Sequence, residues 1–79
     1  MRALIERPED LGRFVQRIRR DAQMTQRQLA EALGISQRYL SELEAGKPKR
    51  IDQGYFDVLR KLGIVLSAET IDDGWVDGD

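Results

Sequence analysis

Apolar residues recur along this chain at helical spacing, and near the C-terminus the period changes. Leu11, Phe14, Val15 and Ile18 follow a 3.6-residue period and make one stripe. Leu29 and Leu33, four apart, share a face of a second segment, and Leu40 and Leu43, three apart, share a face of a third. In a fourth, Tyr55, Phe56, Leu59 and Leu62 read as the inward face, with Val58 at its edge. These stripes predict helices from about Pro8 to Ala22, Gln26 to Leu33, Ser36 to Ala45 and Gln53 to Leu62. Beyond Gly63, the run Ile64, Val65, Leu66, Ser67, Ala68, Glu69 is apolar, β-branched and too short for a helix, so it predicts a strand. Ala3 to Ile5 is either a brief second strand or a cover for the core.

Capping residues sharpen these boundaries. Pro8 suits the first position of a helix, and Glu9 and Asp10 suit its first turn. Thr25 with Gln28 three residues later is a capping box, and Met24 before it is placed to act as a hydrophobic staple. Gly34 ends that helix, Ser36 caps the next, and Gly46 closes it. Pro48 stops any continuation, Asp52 caps the fourth helix, and Gly54 weakens that helix's first turn.

Residues 25–46, TQRQLAEALGISQRYLSELEAG, therefore read as two short helices joined by a tight turn, the helix-turn-helix pattern. Ala30 is small where the two helices must cross, and Ile35 plugs the corner. With its opening Gln26, its Leu-Ala and Leu-Gly-Ile, and its Leu-Ser-Glu-Leu-Glu followed by Gly-Lys, the segment resembles the helix-turn-helix of phage-repressor and Xre-type regulators. The resemblance implies a mostly α, four- to five-helix domain of the lambda-repressor type, with the strand at 64–69 left for dimerisation. The short strand after Leu-Gly and the absence of an effector domain make the chain similar to the HipB-like branch. Those proteins are antitoxins that bind a kinase toxin and repress their own operon. A free-standing Xre-type repressor without a toxin partner is the alternative, and a helical protein-interaction module on the same helices is the remaining one.

In such a domain the second helix of the motif presents its N-terminal residues to base edges in the major groove. The resemblance thus assigns base contacts to Ser36, Gln37, Arg38, Ser41 and Glu42. Gln suits adenine and Arg suits guanine. Glu42 either accepts from cytosine or orients Arg38 four residues before it. Gln26 and Thr25 at the start of the first motif helix, and Lys47, Lys49 and Arg50 beyond the second, are the expected phosphate contacts. Tyr39 either joins them or packs on a neighbour.

Composition narrows the alternatives. The 79 residues contain no cysteine and no histidine, which removes thiol chemistry, the usual general base and the commonest metal ligand. No cofactor, metal or enzymatic activity is expected. No apolar run approaches a membrane span and no signal-peptide core is present, so a soluble cytoplasmic protein is expected. A chain this short buries only about 60% of its unfolded surface, and a dimer partner would help. One strand without a partner makes the same point, since pairing with its own copy across a two-fold axis would satisfy it; Ala3 to Ile5 is the alternative partner, and the two pairings are compatible. The Ile64, Val65, Leu66, Ser67, Ala68 stretch is the expected dimerisation element.

Charge is split unevenly. Residues 1–61 carry 13 Lys and Arg against 9 Asp and Glu, whereas residues 62–79 carry five acids and no cation, so that +4 and −5 give the net −1. Residues 70–79 are expected to form an acidic, mobile tail, with Trp75 as a contact for a partner protein or as a lid on its own domain.

Overall fold

A computed structural model of the protein describes residues 1–48 and 50–71. Among the described residues four helices follow one another: α1 (Pro8–Asp21), α2 (Gln26–Leu33), α3 (Gln37–Glu44) and α4 (Gln53–Lys61). Helix α3 is the hub and packs on both α1 and α2. The core is made of Leu11 and Val15 from α1, Leu29, Ala30 and Leu33 from α2, Leu40 and Leu43 from α3, and Tyr55, Val58 and Leu59 from α4. Met24, Ile35, Tyr39, Leu62 and Ile64 pack against it from the edge. None of the described helices is long and apolar enough to cross a membrane.

The predicted caps form. The Thr25 hydroxyl accepts from the Gln28 amide at 3.1 Å, while the Gln28 side-chain oxygen accepts from the Thr25 amide at 2.9 Å. Ser36 Oγ accepts from the Tyr39 amide and Asp52 Oδ1 from the Tyr55 amide, at 2.9 and 3.0 Å. At α1 the Asp10 carboxylate reaches back to accept the amides of Glu6 and Arg7 and the Arg13 guanidinium. These bonds, the Glu6 amide first, hold the Asp10 carboxyl below its ordinary range. The support is present above the unfolded pKa and is lost as pH falls through the lowered folded value.

Each helix stops in the same way. The amides of Met24, Ile35, Lys47 and Ile64 each donate to a carbonyl five residues back, closing a left-handed C-terminal turn. Glycine occupies the left-handed position at three of the four ends, and at the end of α1 the position is taken by Gln23, with φ of 57°. Gln23→Gly should therefore raise stability by about 0.5–1 kcal/mol, because only glycine adopts this conformation without strain. Urea unfolding checks it.

Two close approaches fix α1 against α3. A Cβ on Gly12 would sit 2.7 Å from the Leu43 carbonyl oxygen and 2.8 Å from the Glu44 carbonyl carbon. One on Gly46 would sit 2.7 Å from the Glu9 backbone. Backbone therefore meets backbone along this contact, with no room for a side chain.

Two expectations need correction. Phe56 is not on the inward face of α4. It is 45% exposed, and its ring meets the Tyr55 ring edge-on, with centroids 5.9 Å apart. Consecutive helical residues point about 100° apart, so Tyr55 and Phe56 cannot both face the core, and Val58 takes the inner position instead. The second correction concerns residues 64–69. No strand is present among the described residues. The Ile64 amide donates to the Leu59 carbonyl, but no ladder forms between Val65–Glu69 and Ala3–Ile5. A strand is defined by its partner, and among the described residues this segment has none. The tail with Trp75 lies outside the described residues.

Candidate nucleic-acid interface

The interface is built on the outer side of α3. Leu40 and Leu43 face inward, so Gln37, Arg38 and Ser41 are left exposed on the opposite side. The Arg38 side chain is 80% exposed, and its Nε lies 3.7 Å from Glu42 Oε2. An exposed i, i+4 pair of this kind is worth only about 0.3–0.5 kcal/mol, so Arg38 gives it up easily for a stronger acceptor. Of the two readings of Glu42, this geometry favours the one that orients Arg38. Ser36 is exposed, but its oxygen already serves the helix cap.

The expected phosphate contacts fall into separate environments. Lys47 and Arg50 are exposed, and neither has an ion-pair partner among the described residues. Lys49 lies outside the described residues. Thr25 is exposed and committed to the capping box. Gln26 is half-buried, and its Nε2 donates to Glu44 Oε1 at 3.1 Å. Tyr39 is half-buried against the core, where burial first and the Asp52 charge second push its phenol pKa up. The packing alternative for Tyr39 therefore describes its ring.

A buried ion pair that the sequence analysis did not identify lies beneath this surface. Glu44 is buried, its side chain only 2% exposed. Arg19 meets it in a fork, Nε to Oε2 at 2.7 Å and Nη2 to Oε1 at 3.0 Å, while Arg19 Nη1 donates to the Met24 carbonyl. With Gln26 on the same carboxylate, the cluster ties the end of α1, the start of α2 and the end of α3 together. Arg19 therefore does not join the other arginines of α1 at the surface. The signal was present in the sequence: Arg19 lies four residues after Val15, and Glu44 four after Leu40, both on inward stripes. Arg17 and Arg20 of α1 and Arg27 of α2 are exposed, and none of them is in an ion pair among the described residues.

Among the described residues, no group of three acidic side chains is placed to hold a metal ion. The arrangement offers instead a short helix with a free polar edge, flanked by exposed cations, on a rigid support.

Comparison with known proteins agrees with this geometry. The family model for the helix-turn-helix domain matches residues 10–62. The uncharacterized HTH-type transcriptional regulator y4mF of Sinorhizobium fredii (strain NBRC 101917 / NGR234) is 36% identical over 59 residues, 75% of this chain and 78% of that protein. Two solved structures, a HipA-HipB-O2-O3 complex and a HipB-O4 20mer complex, each contain a chain that superposes with a TM-score of 0.71 at 22% identity. Each covers 90% of this chain and 100% of its own, a likeness of fold. The match to the family model, the identity to the rhizobial regulator and the exposed outer edge of α3 lead to one conclusion: the chain belongs to the helix-turn-helix domain family.

Proposed function

We propose that the protein is a sequence-specific repressor that binds a palindromic operator in double-stranded DNA as a homodimer in the bacterial cytoplasm. On this reading it is the antitoxin of a kinase-type toxin and represses the operon that encodes both. The single observation that carries DNA binding is the exposed row Gln37, Arg38 and Ser41 on α3, held out from the core by Leu40 and Leu43. The toxin partner rests on the likeness in fold to HipB in its complex with HipA.

In this proposal α3 enters the major groove, Gln37 and Arg38 read base edges, and Ser36, Ser41 and Glu42 complete the contact or orient it. Thr25, Lys47, Lys49 and Arg50 contact the phosphates, Gln26 contributes through the free amides of its helix end, and Tyr39 packs on the core beneath them. The segment 64–68 pairs with its copy and sets two α3 helices about 34 Å apart, one turn of DNA. Trp75 and the acidic residues around it are assigned to the toxin.

Arg38→Ala is expected to cost about 1–3 kcal/mol of discrimination at one base pair while leaving binding to random DNA nearly unchanged. Lys47→Ala should weaken binding to all sequences alike and lower the slope of log K against log salt by about 1. Fluorescence-anisotropy titrations with the DNA upstream of the gene, and with scrambled DNA, measure both. Equal affinity for the two DNAs in the unmodified protein would reject the repressor reading.

A further inference from the structure

An open cleft lies on the side of α1 formed by Leu11 and Phe14, with a volume of about 410 Å³. One wall is the N-terminal segment, through Ala3 and Ile5, and the other is the segment after α4, through Val65 and Ser67. Both walls are free of helix, turn and bend and have unspent hydrogen bonds. Among the described residues, no amide of 2–5 or 65–70 donates to another part of the chain. Both also carry apolar side chains in solvent: Leu4 is 79% exposed and Val65 90%. A dry cavity of about 150 Å³ accommodates benzene, so this cleft has room for two or three apolar side chains.

Resting on the homodimer reading above, we propose that the cleft is occupied by residues 64–68 of a second copy. The N-terminal segment 1–5 is then part of the dimer interface. A strand from the partner lying between the two walls would find main-chain donors and acceptors on both sides. Its side chains would alternate in direction, so Leu66 would meet the apolar floor of Leu11 and Phe14 while Val65 pointed the other way. The arrangement is self-complementary. The segment that forms one wall is the segment that fills the partner's cleft, as two-fold symmetry requires. The walls favour a strand as occupant over a helix, because unpaired amides on both sides match a strand's two edges and a helix's amides are already spent. The N-terminal segment, which has no role in the DNA-binding surface, thereby acquires one.

The test uses engineered cysteines, and the protein has none of its own to interfere. Full-length chains carrying Ala3→Cys or Ile5→Cys are mixed with full-length chains carrying Val65→Cys or Ser67→Cys and gently oxidised. A disulfide between the two kinds of chain is necessarily intermolecular, and at least one pairing should give a cross-linked heterodimer on a non-reducing gel. Val65→Cys alone reports the pairing of the two 64–68 segments. If Val65→Cys cross-links to itself and no N-terminal pairing does, the dimer stands and the cleft assignment is wrong. If neither forms and sedimentation finds a monomer, the dimer reading falls and the inference falls with it. In a second measurement, Ile5→Asp should raise the dimer dissociation constant about tenfold or more, since a charge would be buried in the cleft. Unchanged helicity by circular dichroism excludes unfolding as the cause, and an unchanged dissociation constant overturns the proposal.

Discussion

Glu44→Ala is expected to destabilise the protein by about 3–5 kcal/mol, the cost of removing one partner from a buried ion pair. Arg19 would keep its charge with only the Met24 carbonyl to satisfy it, because Nε and Nη2 both lose their acceptor. Gln26 would lose its acceptor at the same time. A domain this small has only about 5–15 kcal/mol in total, so much of the folded population would be at risk at 37 °C. The effect should not follow charge alone. Replacing both partners, as Arg19→Met with Glu44→Leu, removes the uncompensated charge together with its counterpart. That variant should recover most of the loss or exceed the parent. Urea denaturation of the three proteins separates the cases. A single variant within 1 kcal/mol of the parent, on the scale of about 0–1 kcal/mol for surface pairs, would mean that the pair behaves as though solvent-exposed.

Leu40→Ala should cost about 2–5 kcal/mol. Leu40 is fully buried, and its helix is the one packed on both α1 and α2, so few neighbours are free to collapse into the space it leaves. Cost grows by about 24 cal/mol for each Å³ of cavity that persists. A site between three elements should therefore fall in the upper part of the range. Leu40→Met, which nearly conserves volume, should cost less than about 1.5 kcal/mol. The same denaturation series gives both values, and near-equal losses for Ala and Met would show that the site relaxes. Because α3 also carries the proposed base contacts, the alanine variant should lose operator affinity as temperature rises, before it loses helicity.

Local chemistry was legible in the sequence wherever a residue acts on its own neighbours. Thr25 with Gln28, Ser36, Asp52 and the closing glycines each satisfy backbone groups within a few positions, and the helix ends fall where they direct. Inward stripes were legible for the same reason, as with Leu29, Leu33, Leu40 and Leu43. What escaped depends on relations across the chain. Arg19 and Glu44 are 25 residues apart, and each alone looks like a solvated charge. Phe56 was placed inward by its chemistry, although its neighbour Tyr55 already held that direction. The segment 64–69 carries the composition of a strand, but a ladder needs a second edge that the described residues do not provide. For the proposed base-contacting side chains the sequence supplied their position on the exposed edge of α3, and the missing half of their description is the duplex itself.

The contact at Gly12 bears on how the protein tolerates change. Where two helices meet through side chains, their relative pose shifts with every substitution that alters volume. Here the main chain of α1 rests on the carbonyls of Leu43 and Glu44. Peptide geometry, which a change of side chain elsewhere does not vary, therefore sets the aim of α3, the helix proposed to enter the groove. Apolar residues elsewhere in the core can be exchanged with an effect on stability and little on aim. Operator preference and thermal robustness become properties that selection, or an engineer, can adjust one at a time.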